Sequence, residues 1–369
     1  MQIALLSDIH YGRCAVSEEF TFEGEPLDIP QTGRAQPLLD GMINILKEHS
    51  PDYLLVAGDL TSSGSPLEFK HCSELLMKIG NELSIQEKNI LVCLGNHDAD
   101  WHISDLANSY KHIGDYRSED ASFLRDYYRE LSYIYPEKGE MHKAMLSTTV
   151  SRFELPLSYV LERESCIFFV LNSSHLSTRD QKYKHGALQQ EQFQWFKKEA
   201  EKYTDSEKLK ILMLHHHPFN YANQFSDHDI SLLEEGGDVV EICGRTGIDI
   251  VIHGHRHQPQ AMTYKTNTWR KPITFICAGS LSVNNRERAD GIPNTFHVID
   301  YQDPGRIKLK SYLYGACDGW NAVTYSRKTP IDGEMLLGKL ISEEEAKALI
   351  AQLLCGKLSA AAEIRLSAA

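Results

Sequence analysis

Val92-Cys93-Leu94-Gly95-Asn96-His97-Asp98 decides how the rest of this sequence is read. An apolar run stops at a glycine, and three polar side chains able to bind metal or move protons follow without a gap. That is a buried strand emptying into a site, although a strand entering an ordinary turn reads the same way in isolation. The rest of the chain repeats the pattern. Ile3-Ala4-Leu5-Leu6 leads to Asp8-Ile9-His10, and the apolar run 53–57 leads to Gly58-Asp59. The run 166–171 leads to Asn172-Ser173-Ser174-His175, and the run 209–214 to His215-His216-His217-Pro218. The last, 248–252, leads to His253-Gly254-His255-Arg256-His257.

Between these strands, residues 36–49, 66–80, 186–203 and 229–243 carry the apolar spacing, Pro starts and Gly stops of helices. Strands alternating with helices predict an α/β fold in which the polar groups meet in a crevice at the strands' carboxyl ends. In an extended backbone residues two apart point the same way, so Asp8 and His10 can share one ion. The donors are carboxylate, imidazole and carboxamide without thiolate, a set that suits Mn²⁺, Fe or Zn²⁺ better than Ca²⁺ or a structural zinc. They are too many for one ion. Two ions about 3.5–4 Å apart, bridged by a carboxylate, would activate a shared water and clamp the oxygens of an in-line phosphoryl displacement. Spacing alone does not choose within the two histidine clusters.

The 369 residues, 42% of them hydrophobic, are ample for a buried core. A formal net charge of −13 disfavours non-specific binding to nucleic acid or anionic membrane. Eight cysteines without a Cys-x-x-Cys read as small core residues of a reducing compartment. The N-terminus reaches Asp8 without a basic and apolar export signal, and no run is long enough to span a membrane, so a cytoplasmic location is expected. Residues 1–316 are expected to form the catalytic domain. Within it, 99–164 shows no strand and reads as a helical insertion near the site, whose aromatics (Trp101, Tyr110, Tyr116, Tyr127, Tyr128, Tyr133, Tyr135) either pack on the sheet or stack a base. Further strands are expected over 272–277, 295–300 and 306–312. Residues 317–369 form a partly helical C-terminal extension, with an amphipathic helix over 342–354, through which copies of the chain could assemble.

Asp-x-His, Gly-Asp, Gly-Asn-His-Asp, His-x-Pro and Gly-His-x-His, in this order and spacing, resemble the calcineurin-like metallophosphoesterase superfamily. The resemblance implies a four-layer αββα sandwich of two mixed sheets flanked by helices. It also implies a first metal held by Asp8, His10 and His257, a bridging Asp59, and a second metal held by Asn96, His216 and His255. His97 would contact the phosphate and protonate the leaving alcohol. The family pattern selects His216 over His215 and His217, and His255 and His257 over His253. Leu60-Thr61-Ser62-Ser63-Gly64 departs from the acidic-arginine-glycine signature of Ser/Thr protein phosphatases, and Ser62 stands where purple acid phosphatases place a tyrosine ligand. Gly58-Asp59-Leu60-Thr61, followed by Gly64, Pro66, Glu68 and Phe69, is similar to the bacterial branch of cyclic-nucleotide and glycerophosphodiester phosphodiesterases. The expected activity is therefore two-metal hydrolysis of a small phosphodiester such as a cyclic nucleotide. A nuclease, using a patch of Lys111, Arg117, Arg125, Arg129, Arg286 and Arg288, a phosphomonoesterase and a non-catalytic scaffold are the alternatives.

Overall fold

The computed structural model describes residues 1–24, 26–27, 37–99, 158–174, 185–188, 190–219, 231–288, 291–303, 306–315, 319–326 and 336–337. All of the expected insertion but its ends, His175, and the expected helix over 342–354 lie outside the described residues.

The chain begins β1 (Gln2–Leu6), α1 (Leu38–His49), β2 (Tyr53–Ala57), α2 (Pro66–Glu82), β3 (Ile90–Cys93). The three strands are short apolar runs, as parallel strands covered on both faces require. α1 stops where Ser50 turns into left-handed backbone ahead of Pro51. α2 starts with a reciprocal cap, the Ser65 hydroxyl accepting from the Glu68 amide and the Glu68 carboxylate from the Ser65 amide. There follow β4 (Tyr159–Glu162), β5 (Cys166–Val170), α3 (Gln190–Lys202), β6 (Leu209–Met213), α4 (Gly236–Thr246), β7 (Ile250–His253), β8 (Pro259–Tyr264) and β9 (Ile273–Ala278). The last strands are β10 (Thr295–Asp303), β11 (Arg306–Gly315), β12 (Gly319–Ser326) and β13 (Leu336–Leu337).

The strands form a six-stranded sheet, β12-β11-β10-β1-β2-β3, and a seven-stranded sheet, β13-β8-β9-β7-β6-β5-β4. Both are mixed: β1, β2 and β3 are parallel while β10 runs against β1, and β5, β6, β7 and β9 are parallel while β4 and β8 run against their edges. Side-chain parity then sets the layers. On β5, Cys166, Phe168 and Val170 join the core shared with the six-stranded sheet, whereas Ile167 and Phe169 join Phe196 and Ala200 of α3 and Val239, Val240 and Cys243 of α4. On the other side, buried residues of both parities on β1 (Ile3, Ala4, Leu5, Leu6) pack in one cluster with α1, α2 and the inward face of the second sheet. The order helices, sheet, sheet, helices is the four-layer sandwich that the family resemblance implied.

Local departures have physical reasons. α4 starts at Gly236, not near 229, which moves Gly236 and Gly237 to the first turn, where poor helix formers cost least; Gly236 also packs against the Pro218 backbone. The segment expected as helix from 186 is helical only from Gln190, because Gly186 instead pairs with Leu233. Within the stretch where no strand was expected, β4 pairs antiparallel with β5 and buries only Tyr159 and Leu161, too short an alternation to stand out. β12, beyond residue 316, extends the six-stranded sheet. Among the described residues no helix is long and apolar enough to cross a membrane.

One buried histidine ties the sheets together. His297 of β10 sits with Nε2 2.7 Å from the Ala278 carbonyl of β9 and Nδ1 2.7 Å from the Ser311 hydroxyl of β11. Burial lowers its pKa to about 4 from an ordinary 6.5, opposed by the bond to Ala278. The folded pKa is thus below the unfolded one, so this contribution is complete above pH 6.5 and is lost as pH falls toward 4. The expected size is about 3 kcal/mol. Urea unfolding of wild type and His297→Gln at equal metal content checks it: the stability gap between them narrows from pH 6.5 to 4, and a gap independent of pH refutes the assignment.

Candidate metal centre

Every expected ligand stands on the loop that leaves the carboxyl end of a buried strand: Asp8 and His10 after β1, Asp59 after β2, Asn96 after β3, His216 after β6, His255 and His257 after β7. These loops turn sharply. Asp8, His10, Asp59, His255 and His257 all have left-handed backbone, with φ of 49°, 48°, 49°, 71° and 52°. Among the described non-glycine residues only Ser50 and Ser84 share that region. Such conformations cost of order 1 kcal/mol each and persist where surrounding bonds impose them. Here the Asp8 amide donates to the Gly58 carbonyl (3.0 Å) and the His10 amide to the Asp59 carbonyl (2.9 Å), so the first two loops hold each other.

Two groups of donors converge. In the first, Asp8, His10, Asp59 and His257 place one donor atom each within 4.8 Å of all the others, and in the second Asp59, His215 and His255 do the same. Asp59 belongs to both. Its Oδ2 lies 3.2 Å from His10 Nε2 and 3.2 Å from His215 Nε2, and Asp8 Oδ1 lies 3.0 Å from His257 Nε2. Gly95 is needed beside it, since a Cβ there would lie 2.1 Å from Asp59 Oδ1. The fit to metal shows in what these atoms lack: Asp59 Oδ2, both ring nitrogens of His10 and His216 Nε2 are buried without a hydrogen-bond partner. Buried polar atoms are otherwise nearly always satisfied, and this mixed oxygen and nitrogen set suits transition ions.

Neighbouring groups aim the donors. Asp8 accepts from the Ser7 hydroxyl, whose oxygen also lies 3.0 Å from the Ala57 carbonyl, and from the His255 amide. His257 Nδ1 meets the Glu287 carbonyl, and His216 Nδ1 lies 2.8 Å from the Ser173 hydroxyl. A ring nitrogen bonded in this way directs its partner nitrogen at the ion. Asn96 Oδ1 is 3.2 Å from His215 Nε2. The His97 amide donates to Asp59 Oδ1 (2.8 Å), its Nδ1 lies 3.1 Å from the Ser62 carbonyl, and its ring centre is 4.4 Å from that of His10. Asp98 turns away from the centre and accepts from the Leu60, Thr61 and Gly95 amides, which fixes the two loops relative to each other.

Burial and mutual charge sort the ionisation states. Burial, reinforced by His97, lowers His10 to about 4. Burial also takes His216 and His255 well below the ordinary histidine value, with the neighbouring imidazoles adding to the effect. Neutral imidazole is the form that binds metal. For Asp59, burial opposes ionisation, but His215, His97 and His10 outweigh it and hold its carboxyl well below the usual range. His215 runs the other way: burial opposes charge, yet Asp59 and Asp8 raise it to about 9. Asp98, buried beside Asp59, is pushed up to about 7 against the pull of its amide donors.

The structure thus brings Asp8, His10, Asp59, Asn96, His97, His216, His255 and His257 to one crevice. It differs from the expectation at the histidine triplet. His215, not His216, contacts the shared carboxylate, while His216 stands one ring away with its centre 4.5 Å from that of His255. His215 is aimed by its Nδ1, 2.9 Å from the Ala57 carbonyl. Ser7, Ser173 and the Glu287 carbonyl were missed. The first two stand at strand ends beside ligands, a signal that the sequence does carry, but a backbone carbonyl leaves no trace in side-chain identity.

No curated protein matches the sequence. In structure the chain is similar to a dimetal phosphatase from Danio rerio, at 11% identity and a TM-score of 0.51, over 89% of this chain and 99% of that one. It is also similar to a purple acid phosphatase from yellow lupin (Lupinus luteus) seeds, at 14% identity and a TM-score of 0.52, over 89% of this chain and 54% of that one. At such identities these likenesses speak to the fold. The family model for calcineurin-like phosphoesterases matches residues 1–259, a span that takes in every ligand-bearing loop described above. The chain belongs to the calcineurin-like phosphoesterase family.

Proposed function

We propose that the protein hydrolyses a small phosphodiester with two metal ions. The observation that carries this reading is Asp59, the one carboxylate common to both donor groups, whose buried Oδ2 lies 3.2 Å from His10 Nε2 and from His215 Nε2 without a well-formed hydrogen bond to either. In this reading Asp8, His10 and His257 complete one ion site with Asp59, and Asn96, His215 and His255 complete the other, with His216 packed beside His255. Bound there, Mn²⁺, Fe or Zn²⁺ would supply Lewis acidity and an activated water at neutral pH. His97 is the acid. Its Nδ1 is engaged by a carbonyl, which accepts only, so Nδ1 carries the hydrogen and Nε2 is the nitrogen that hands a proton to the leaving oxygen.

The loop at 61–65 supports a diester over a monoester. Ser62 directs its hydroxyl at the His10 carbonyl (2.7 Å) and Ser63 directs its own at Glu68 (2.8 Å), so this loop turns inward and offers no cation to a phosphate dianion. A diester carries one negative charge fewer. The six described cysteines are buried and form no disulfide, which supports the cytoplasmic location.

The test is turnover of bis(p-nitrophenyl) phosphate beside p-nitrophenyl phosphate by metal-stripped enzyme refilled with Mn²⁺. A preference for the diester of about tenfold or more in kcat/KM is expected. His97→Ala should slow a diester that expels an alkoxide by about 10²–10⁴-fold, the range for a positioned acid. Preference for the monoester moves the substrate to phosphomonoesters, and no turnover of either ester revives the nuclease and scaffold alternatives.

A further inference from the structure

Glu68 is a carboxylate at 5% exposure that takes no part in the proposed ion sites. Capping α2 does not account for it. Its Oε2 lies 3.4 Å from the Ser65 amide, the cap contact, but 2.9 Å from the Ser63 amide and 2.8 Å from the Ser63 hydroxyl. The shorter bonds hold the loop, not the helix end. Ser63 follows the residue whose carbonyl engages His97 Nδ1. That carbonyl is also fixed from the other side, because the Ser62 hydroxyl donates to the His10 carbonyl (2.7 Å) and accepts from the Cys14 amide (3.1 Å). Gly12 lets the next loop close over the same carboxylate: its φ is +123°, and a Cβ there would lie 2.5 Å from Glu68 Oε1.

We propose that Glu68 is a positioning residue for proton transfer: it clamps Ser63 so that the Ser62 carbonyl holds the His97 imidazole in one tautomer, with Nε2 toward the leaving oxygen. The inference rests on the phosphodiesterase reading. In the step concerned, the doubly protonated ring gives its Nε2 proton to the departing oxygen as the phosphorus–oxygen bond to the leaving group breaks, which leaves the neutral Nδ1–H tautomer. The water oxygen forms the new bond to phosphorus, and the proton it loses returns the ring to its doubly protonated form through solvent. The clamp acts through the Ser62–Ser63 peptide, and Glu68 never meets the substrate.

The experiment compares wild type, Glu68→Ala, Glu68→Gln and Ser63→Ala, all loaded with Zn²⁺, on two diesters. Bis(p-nitrophenyl) phosphate expels a good leaving group, whereas sn-glycero-3-phosphoethanolamine expels an alkoxide that needs the acid. In Glu68→Ala the ratio of alkoxide to aryl kcat should fall about tenfold, with zinc content and KM kept. Glu68→Gln, which keeps an acceptor oxygen, should restore most of it, and Ser63→Ala, a change at an exposed side chain, should give a smaller fall in the same direction. Equal losses on both esters, or loss of zinc, overturn the proposal. A second readout is independent of turnover: the ¹⁵N–¹H imidazole spectrum, with His97 assigned by His97→Asn, should show the Nδ1–H tautomer in wild type and a mixture in Glu68→Ala. An unchanged spectrum overturns the proposal. If wild type turns over neither diester, the phosphodiesterase reading has failed and the spectrum alone decides on Glu68.

Discussion

Asp59→Asn is expected to lower kcat by about 10³-fold or more while the protein stays folded. The substitution changes one oxygen of the only carboxylate shared by the two donor groups. Oδ1 already serves the His97 amide at 2.8 Å, so the amide nitrogen of the new side chain is driven to the Oδ2 position. There it faces His10 and His215, both 3.2 Å away, with a donor in place of a lone pair. An ion bridge cannot form on an N–H. The fold should survive because asparagine matches aspartate in shape and tolerates the left-handed backbone at φ 49° as well. Alanine would add backbone strain and confuse the result. Steady-state kinetics, metal content per chain and far-ultraviolet circular dichroism give the answer together, and activity near wild type in the folded variant would end the two-metal reading.

Removing metal should abolish turnover and lower the melting temperature, and Mn²⁺ or Zn²⁺ should restore both. The structural reason is the set of buried ligand atoms without a well-formed hydrogen bond: Asp59 Oδ2, His216 Nε2 and the ring nitrogens of His10. The 3.2 Å contacts of Asp59 with His10 and His215 offset only part of that cost. A ligand bound only by the folded state stabilises it by about 4 kcal/mol at a thousand times its Kd. Differential scanning fluorimetry of chelator-treated protein, titrated with each ion, measures the shift. Ca²⁺ should do little, because imidazole is a poor match for it. A melting temperature indifferent to chelation would show that the crevice does not hold ions.

The fold and the centre were legible to different depths. Strand ends carrying Asp8, Asp59, Asn96 and His255 were plain, because a strand buried on both faces is a continuous apolar run and its end is abrupt. β4 and β8 were not, since a half-covered strand such as 259–264 interleaves polar residues and its pairing is decided by β9 alongside it. The start of α4 was misplaced because propensity penalises glycine but does not see that Gly236 must pass the Pro218 backbone. Within His215-His216-His217 the sequence could not say which ring reaches Asp59. That depends on where the loop leaves β6, on the Ser173 hydroxyl beneath His216 and on the Ala57 carbonyl beside His215.

The proposed ligands are divided between the sheets. Asp8, His10, Asp59 and Asn96 hang from the strands β1 to β3, and His215, His255 and His257 from β6 and β7. Neither sheet owns a full coordination shell, so a nascent chain exposes its acidic half-site long before the histidines that complete it are made. Ion capture would therefore wait for the two sheets to dock, and bound ions would latch that step by joining the ends of β1 to β3 to those of β6 and β7.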